Sequence, residues 1–162
     1  MNKQEVYDFL ARRGIWHEIT EHEAVWNMGD LSSVPLPYPT ADAKNLFVRD
    51  DKKRNYYLIT VRGDKRGDLK EFAARHGTRK LSFASPADLA EKLDLIPGAV
   101  SPLGILNGKA EGVSFFLDAD FLKEPGLAGM HPNDNTATVW LRAEDLLSLI
   151  REAGVPATVT EI

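Results

Sequence analysis

The sequence predicts a single α+β domain built on a largely antiparallel sheet, and three observations lead there. Short runs that alternate apolar and polar residues are interleaved with runs of helical period rather than segregated from them. Cap residues mark where the helices begin and end. Finally, 162 residues with 43% hydrophobic content suffice for one real core and are too few for two comfortable domains, so residues 1–162 are one unit.

The elements follow in order. Residues 2–13 place Val6, Phe9, Leu10 and Arg13 at helical spacing, with Asn2 as N-cap and Gly14 as stop. Residues 15–20 alternate as a half-buried strand does. From 21 to 40 the period is lost and Pro35, Pro37 and Pro39 accumulate, which predicts a long loop with a helical turn near 24–28. Residues 46–49 and 56–61 are β-rich runs joined by a charged hairpin loop over 50–55. Asp68 with Glu71 opens a helix like a capping box, and Gly77 closes it. A strand is expected over 80–83. Ser85 then caps a helix whose first residue is Pro86 and which runs to about residue 93. Runs 103–106 and 113–117 flank Asn107-Gly108, the strongest short hairpin signal, and predict a strand pair. Residues 136–141 alternate as a strand, 144–153 repeat Leu146, Leu147, Leu149 and Ile150 on a helical face, and 155–159 add a last strand.

Composition narrows the function. There is no cysteine, which excludes disulfides, thiolate metal sites and a cysteine nucleophile and fits a reducing cytoplasm. No run approaches the roughly 18 apolar residues of a membrane span, and the opening residues carry no apolar signal core. A soluble, unexported, cytoplasmic protein with no membrane contact is expected. The net charge of −4 argues against a general nucleic-acid-coating protein, but it hides an asymmetry. Between Lys44 and Lys80 twelve Lys/Arg face five acids, a balance of +7 that leaves −11 elsewhere. Such a segment would let one face meet phosphates, with Arg62, Lys65 and Arg66 as candidate contacts. Solvation of loops and a helix face would also account for it.

Several motifs fail on spacing. His17 and His22 are five residues apart, not the four of a zinc-protease helix, and Ile19 between them lies in a strand-like run. Gly108-Lys109-Ala110 lacks the hydroxyl that follows a P-loop lysine, and no Gly-x-Ser-x-Gly elbow supports a serine triad. Three clusters remain: Lys44-Asn45-Leu46-Phe47-Val48-Arg49-Asp50, then Gly98-Ala99-Val100-Ser101-Pro102, then the string from His131-Pro132-Asn133-Asp134 to Val139. Singly each has a plain explanation: a snorkelling lysine, a shaped turn, a loop start.

Together, in order, spacing and local sequence, the clusters resemble the prolyl-tRNA-synthetase-associated editing domains. That superfamily includes YbaK and the insertion domain of bacterial prolyl-tRNA synthetases. The Lys44 and His131 strings look most like its free-standing alanine-specific members, called ProXp-ala or PrdX, and the resemblance spans nearly the whole chain. It implies a mixed, mostly antiparallel, barrel-like sheet packed with helices. It also implies hydrolysis of the ester joining an amino acid to the terminal adenosine of tRNA for proline, with alanine as the amino acid removed. Transient contact with prolyl-tRNA synthetase is a further implication, and a monomer is expected.

By the same resemblance Lys44, Gly98 and His131 are the catalytic candidates, and Asn45, Phe47, Ala99, Val100, Ser101 and Pro102 the substrate-binding ones. Lys44 would anchor the substrate by charge, supported by Asn45. The Gly98 loop could offer backbone N–H groups to the carbonyl oxygen, since glycine permits close approach. His131 suits a general base, or else shapes the pocket in a substrate-assisted route using a ribose hydroxyl and water. No metal or cofactor is required. A same-fold deacylase for serine, cysteine or a non-protein amino acid, and a binding module that only carries tRNA, stay open as alternatives.

Overall fold

A computed structural model describes residues 1–24 and 36–162. The helices begin where the cap residues predict. α1 (Lys3–Arg12) opens on a capping box in which the Asn2 side chain accepts from Glu5 N–H and Glu5 returns a bond to the Asn2 amide. α2 (Leu69–His76) is capped by Asp68 and stopped by Gly77 in the left-handed conformation, and α3 (Pro86–Leu93) starts from a Ser85–Asp88 box. α4 (Ala143–Glu152) buries Leu146, Leu147, Leu149 and Ile150.

The strands are β1 (His17–Glu21), β2 (Ala43–Asp50), β3 (Tyr56–Arg62), β4 (Leu81–Phe83), β5 (Val113–Asp118), β6 (Leu127–Met130), β7 (Ala137–Arg142) and β8 (Ala157–Thr160). They form a five-stranded sheet, β4-β2-β3-β5-β8, and a three-stranded one, β1-β7-β6. The domain is thus α+β and mixed as expected, but the sheet does not close into a barrel. An isolated parallel bridge between Asp42 and Gly129 links the two open sheets.

Strand alternation divides β2 between two cores. Ala43 and Phe47 face the main core, with Leu58, Phe115, Leu117, Val139, Leu141 and the apolar faces of α1 and α4. Leu46 and Val48 face a smaller core with Ile59, Val61 and Phe72 under α2. Burial on both faces explains why 46–48 reads as an unbroken apolar run rather than an alternating one.

Two expectations are corrected. Residues 103–106 are not a strand: Ser101 Oγ accepts from Leu103 N–H (3.2 Å) and opens a 3-10 helix, Pro102–Asn107, with Pro102 at its first position. Gly108, at φ 78°, is the stop of that helix, so the Asn-Gly pair punctuates a helix end and not a hairpin. Strand β5 instead runs parallel to both β3 and β8, which crossover connections allow. Strand β6 is unannounced in the sequence. Its Gly129 lies under Trp140, where an added Cβ would stand 2.2 Å from a ring carbon. Of the long loop over 21–40, Glu21 ends β1 and Pro39–Ala41 forms a 3-10 turn, while the helical turn expected near 24–28 falls almost wholly outside the described residues.

Candidate active site

Lys44 is the second residue of β2, opposite Val61 of β3. Its half-buried side chain carries the ammonium to the Arg66 carbonyl, 3.4 Å away. Asn45 points to the other face. There its amide donates to the Val100 carbonyl (3.4 Å) and its oxygen accepts from the Thr60 hydroxyl (2.6 Å), so the 98–102 loop is tied to β2. Phe47 is buried core, stacked on Tyr56 with ring centroids 5.7 Å apart.

In the loop, Gly98 sits at φ 89° and the Ala99 N–H closes a turn onto the Ile96 carbonyl at 3.1 Å. Pro97 followed by a positive-φ Gly98 is the pairing such a turn requires. That use of the Ala99 N–H leaves those of Gly98 and Val100 without a protein acceptor among the described residues. Ala99 is buried, Ser101 is buried and spends its hydroxyl on the cap, and Pro102 is buried within the 3-10 helix. These three side chains build the loop from beneath; Gly98 and Val100 are more open.

His131 follows β6 directly. From the Asp42–Gly129 bridge, two residues along β2 lead to Lys44 and two along the parallel β6 lead to His131. With the Asn45–Val100 bond, this brings all three sequence clusters to the start of β2. His131 Nδ1 lies 2.9 Å from the Ala137 carbonyl, which can only accept, so Nδ1 carries the hydrogen and a neutral ring keeps a lone pair on Nε2. Burial lowers the His131 pKa below the ordinary value, with His22 adding to the effect, although the Ala137 bond works against it. The loop after His131 is pinned by Asp134, which accepts from both the amide and the hydroxyl of Thr136, and Lys3 also donates to that hydroxyl (2.9 Å).

Two residues beside the site escaped the sequence reading. His22 stands edge-on to His131 with centroids 6.2 Å apart, its Nε2 against the Thr138 hydroxyl (3.0 Å). The strand register of β1 on β7 carries it there, a relation visible only once the strands are paired. Asp42 is buried and its carboxyl is pushed up to about 6 by that burial, despite a bond from the Ala43 amide. Perturbed carboxyls of this kind concentrate at functional sites.

The three expected phosphate contacts fare unequally. Arg62 is forked onto Asp64 (3.0 and 2.9 Å) and Lys65 is held by Asp118 and Asp120. Arg66 is exposed, next to Lys44, and has no ion pair among the described residues.

Residues 22–149, which contain Lys44, the 98–102 loop and His131, match the family model described as an aminoacyl-tRNA editing domain. The chain belongs to that family. It is therefore an aminoacyl-tRNA deacylase with tRNA as its substrate. It is 37% identical over 152 residues to the prolyl-tRNA editing protein ProX of Acetoanaerobium sticklandii, spanning 94% of this chain and 92% of that protein. It is 34% identical over 149 residues to prolyl-tRNA synthetase associated domain-containing protein 1 of Bos taurus, spanning 90% and 86%. A solved structure provisionally described as a trans-editing enzyme for prolyl tRNA synthetase shares the fold, with a TM-score of 0.71 at 22% identity over 98% of this chain and 94% of that one.

Proposed function

We propose that this deacylase acts in trans on tRNA for proline that carries alanine, releasing alanine and intact tRNA. The observation that carries the reading is the gathering of the Lys44, 98–102 and His131 segments around the start of β2, the loop lying on the Asn45 face, in a chain 37% identical to a protein named for prolyl-tRNA editing. The chemistry is attack of water on the ester carbonyl and departure of the ribose oxygen, which takes a proton as it leaves. Lys44 anchors the substrate by charge beside the ester. The Gly98 and Val100 N–H groups face the carbonyl oxygen as negative charge grows on it; one such donor is worth about 100- to 1,000-fold in rate. His131, neutral with no partner on Nε2 among the described residues, accepts a hydrogen bond from the water or from the substrate α-amino group. No side-chain nucleophile takes part, and the neighbouring ribose hydroxyl assists.

Selecting alanine is a sieve problem. A synthetase built for proline cannot strongly exclude a smaller side chain, each missing methylene being worth about 1–3 kcal/mol. A second, smaller site can exclude proline sterically, and the loop from Gly98 with Leu103 behind it forms the wall of that site. Arg66 meets a backbone phosphate of the acceptor end. The protein acts in the cytoplasm as a monomer, with transient contact to the synthetase.

Lys44→Ala tests the assignment. The variant should stay folded and lose about 100-fold or more in deacylation, as loss of a transition-state contact does. A wild type that binds tRNA without hydrolysing the ester would favour a carrier module instead.

A further inference from the structure

Lys65 sits in the basic segment, yet its surroundings are acidic. Its ammonium lies 3.0 and 2.8 Å from Oδ1 and Oδ2 of Asp118, 2.7 Å from Asp120 Oδ2 and 3.1 Å from the Ile162 carbonyl. An ammonium has three hydrogens to give, and these acceptors take them all. Asp118 is 1% exposed and also accepts the Arg62 amide (3.2 Å) and the Asp120 amide (3.1 Å). Burial works against the Lys65 charge, but the bonds to Asp118 and Asp120 hold its pKa above the ordinary lysine value. Such a lysine is not available to a phosphate.

What it fastens is the turn over residues 62–67. The Lys65 amide donates to the Arg62 carbonyl (2.9 Å), and Gly63 N–H donates to the Asp42 carbonyl (2.8 Å). The next residue's carbonyl, that of Arg66, receives the Lys44 ammonium. Gly67 closes the turn at φ 72°, so near β2 that an added Cβ would meet Leu46 Cδ1 at 2.8 Å. The turn is thus anchored to β5 through Lys65 and pressed onto β2 at Lys44 and Leu46.

We propose that Lys65 is a positioning residue of the editing site: clamped by Asp118 and Asp120, it fixes the 62–67 turn so that the Arg66 carbonyl holds the Lys44 ammonium in place. The proposal rests on the role given to Lys44 above. It separates Lys65 from its neighbour Arg66, which keeps the phosphate role.

The test compares Lys65→Met, Lys65→Arg, Arg66→Ala and Lys44→Ala in deacylation of alanyl-tRNA for proline, reading kcat, KM and salt dependence. Amide exchange over 62–67 in the free protein is followed alongside. Lys65→Met should lose about 10- to 100-fold in kcat, the cost of a misplaced group. Its KM and salt slope should stay near wild type, and exchange in the turn should quicken. Lys65→Arg, which keeps the charge, should recover most of the loss. Arg66→Ala should do the reverse, raising KM and reducing the salt slope by about 0.7–0.9 for one phosphate contact.

Because Lys65→Met strands a buried carboxylate, Lys65→Met/Asp118→Asn is measured too and should show the same kcat loss in a folded protein. Wild-type kcat with a flattened salt dependence, or unchanged exchange over the turn, in either Lys65→Met variant overturns the proposal. If Lys44→Ala alone remains active, the role given to Lys44 fails, while the exchange data still decide whether Lys65 holds the turn.

Discussion

In its proposed role His131 works only while uncharged, because a protonated ring has no lone pair for water or an amine. Its pKa is lowered by burial, so the neutral form persists as pH falls through the ordinary histidine value of about 6.5. The acid limb of the deacylation profile should therefore lie below about pH 6.5 if His131 sets it. Imidazole nitrogen NMR should find Nδ1 protonated and Nε2 bare at pH 7; the opposite tautomer, or titration above 6.5, contradicts the site geometry.

Asp42 makes the converse stability prediction. Its carboxyl, raised from 3.8 to about 6, binds a proton in the folded state that the unfolded state has already released. Folding stability from this group is thus present below about pH 4 and lost as pH rises through 6, at a cost of up to about 3 kcal/mol. Asp42→Asn should raise Tm more at pH 8 than at pH 4; equal effects at both would show that the buried charge is not penalised. Neither Asp42 nor His22 was legible as a site residue, because burial and cross-strand contact exist only in the folded chain. Lys44, Asn45 and His131 could be picked out as candidates, because each sits in a distinctive string.

At the scale of elements, cap chemistry was the most readable signal. Asn2, Asp68, Ser85 and Gly77 each do locally what their side chains favour, and α1, α2 and α3 begin within a residue or so of where those caps place them. The misreadings arise where one local signal serves two structures. Asn107-Gly108 suits a tight hairpin and a left-handed helix stop equally, and Ser101-Pro102 upstream decides for the helix. Strand β6 was hidden because Gly129 reads as a strand breaker, whereas it is glycine so that Trp140 can lie flat against the backbone. Gly129→Ala should cost about 1–3 kcal/mol by overpacking. It should also disturb the Asp42 bridge and thereby His131, so a fall in both Tm and deacylation rate is expected. A variant as stable and active as wild type would show that the bridge does not set the site.

Across the whole molecule, only part of the charge asymmetry of the sequence is neutralised in place. Arg49 pairs with Asp88, Arg62 with Asp64, Lys65 with Asp118 and Asp120, Arg75 with Glu71 and Arg79 with Asp51. Lys52, Lys53, Arg54, Arg66, Lys70 and Lys80 remain exposed with no ion pair among the described residues. Sequence counts charges and not their partners: Asp51, Asp64 and Glu71 are already inside the +7 balance, and only Asp88, Asp118 and Asp120, from outside the segment, draw it down. Parallel pairing of β5 with β3 and β8 was likewise beyond local reading, because it is set by crossovers tens of residues long.

Whether the proposed site admits alanine and refuses proline is read from deacylation rates on one tRNA for proline charged in turn with alanine, serine, cysteine and proline. Rapid loss of the alanyl ester and survival of the prolyl ester at the rate of uncatalysed hydrolysis are expected; prolyl ester lost as fast as alanyl overturns that selectivity.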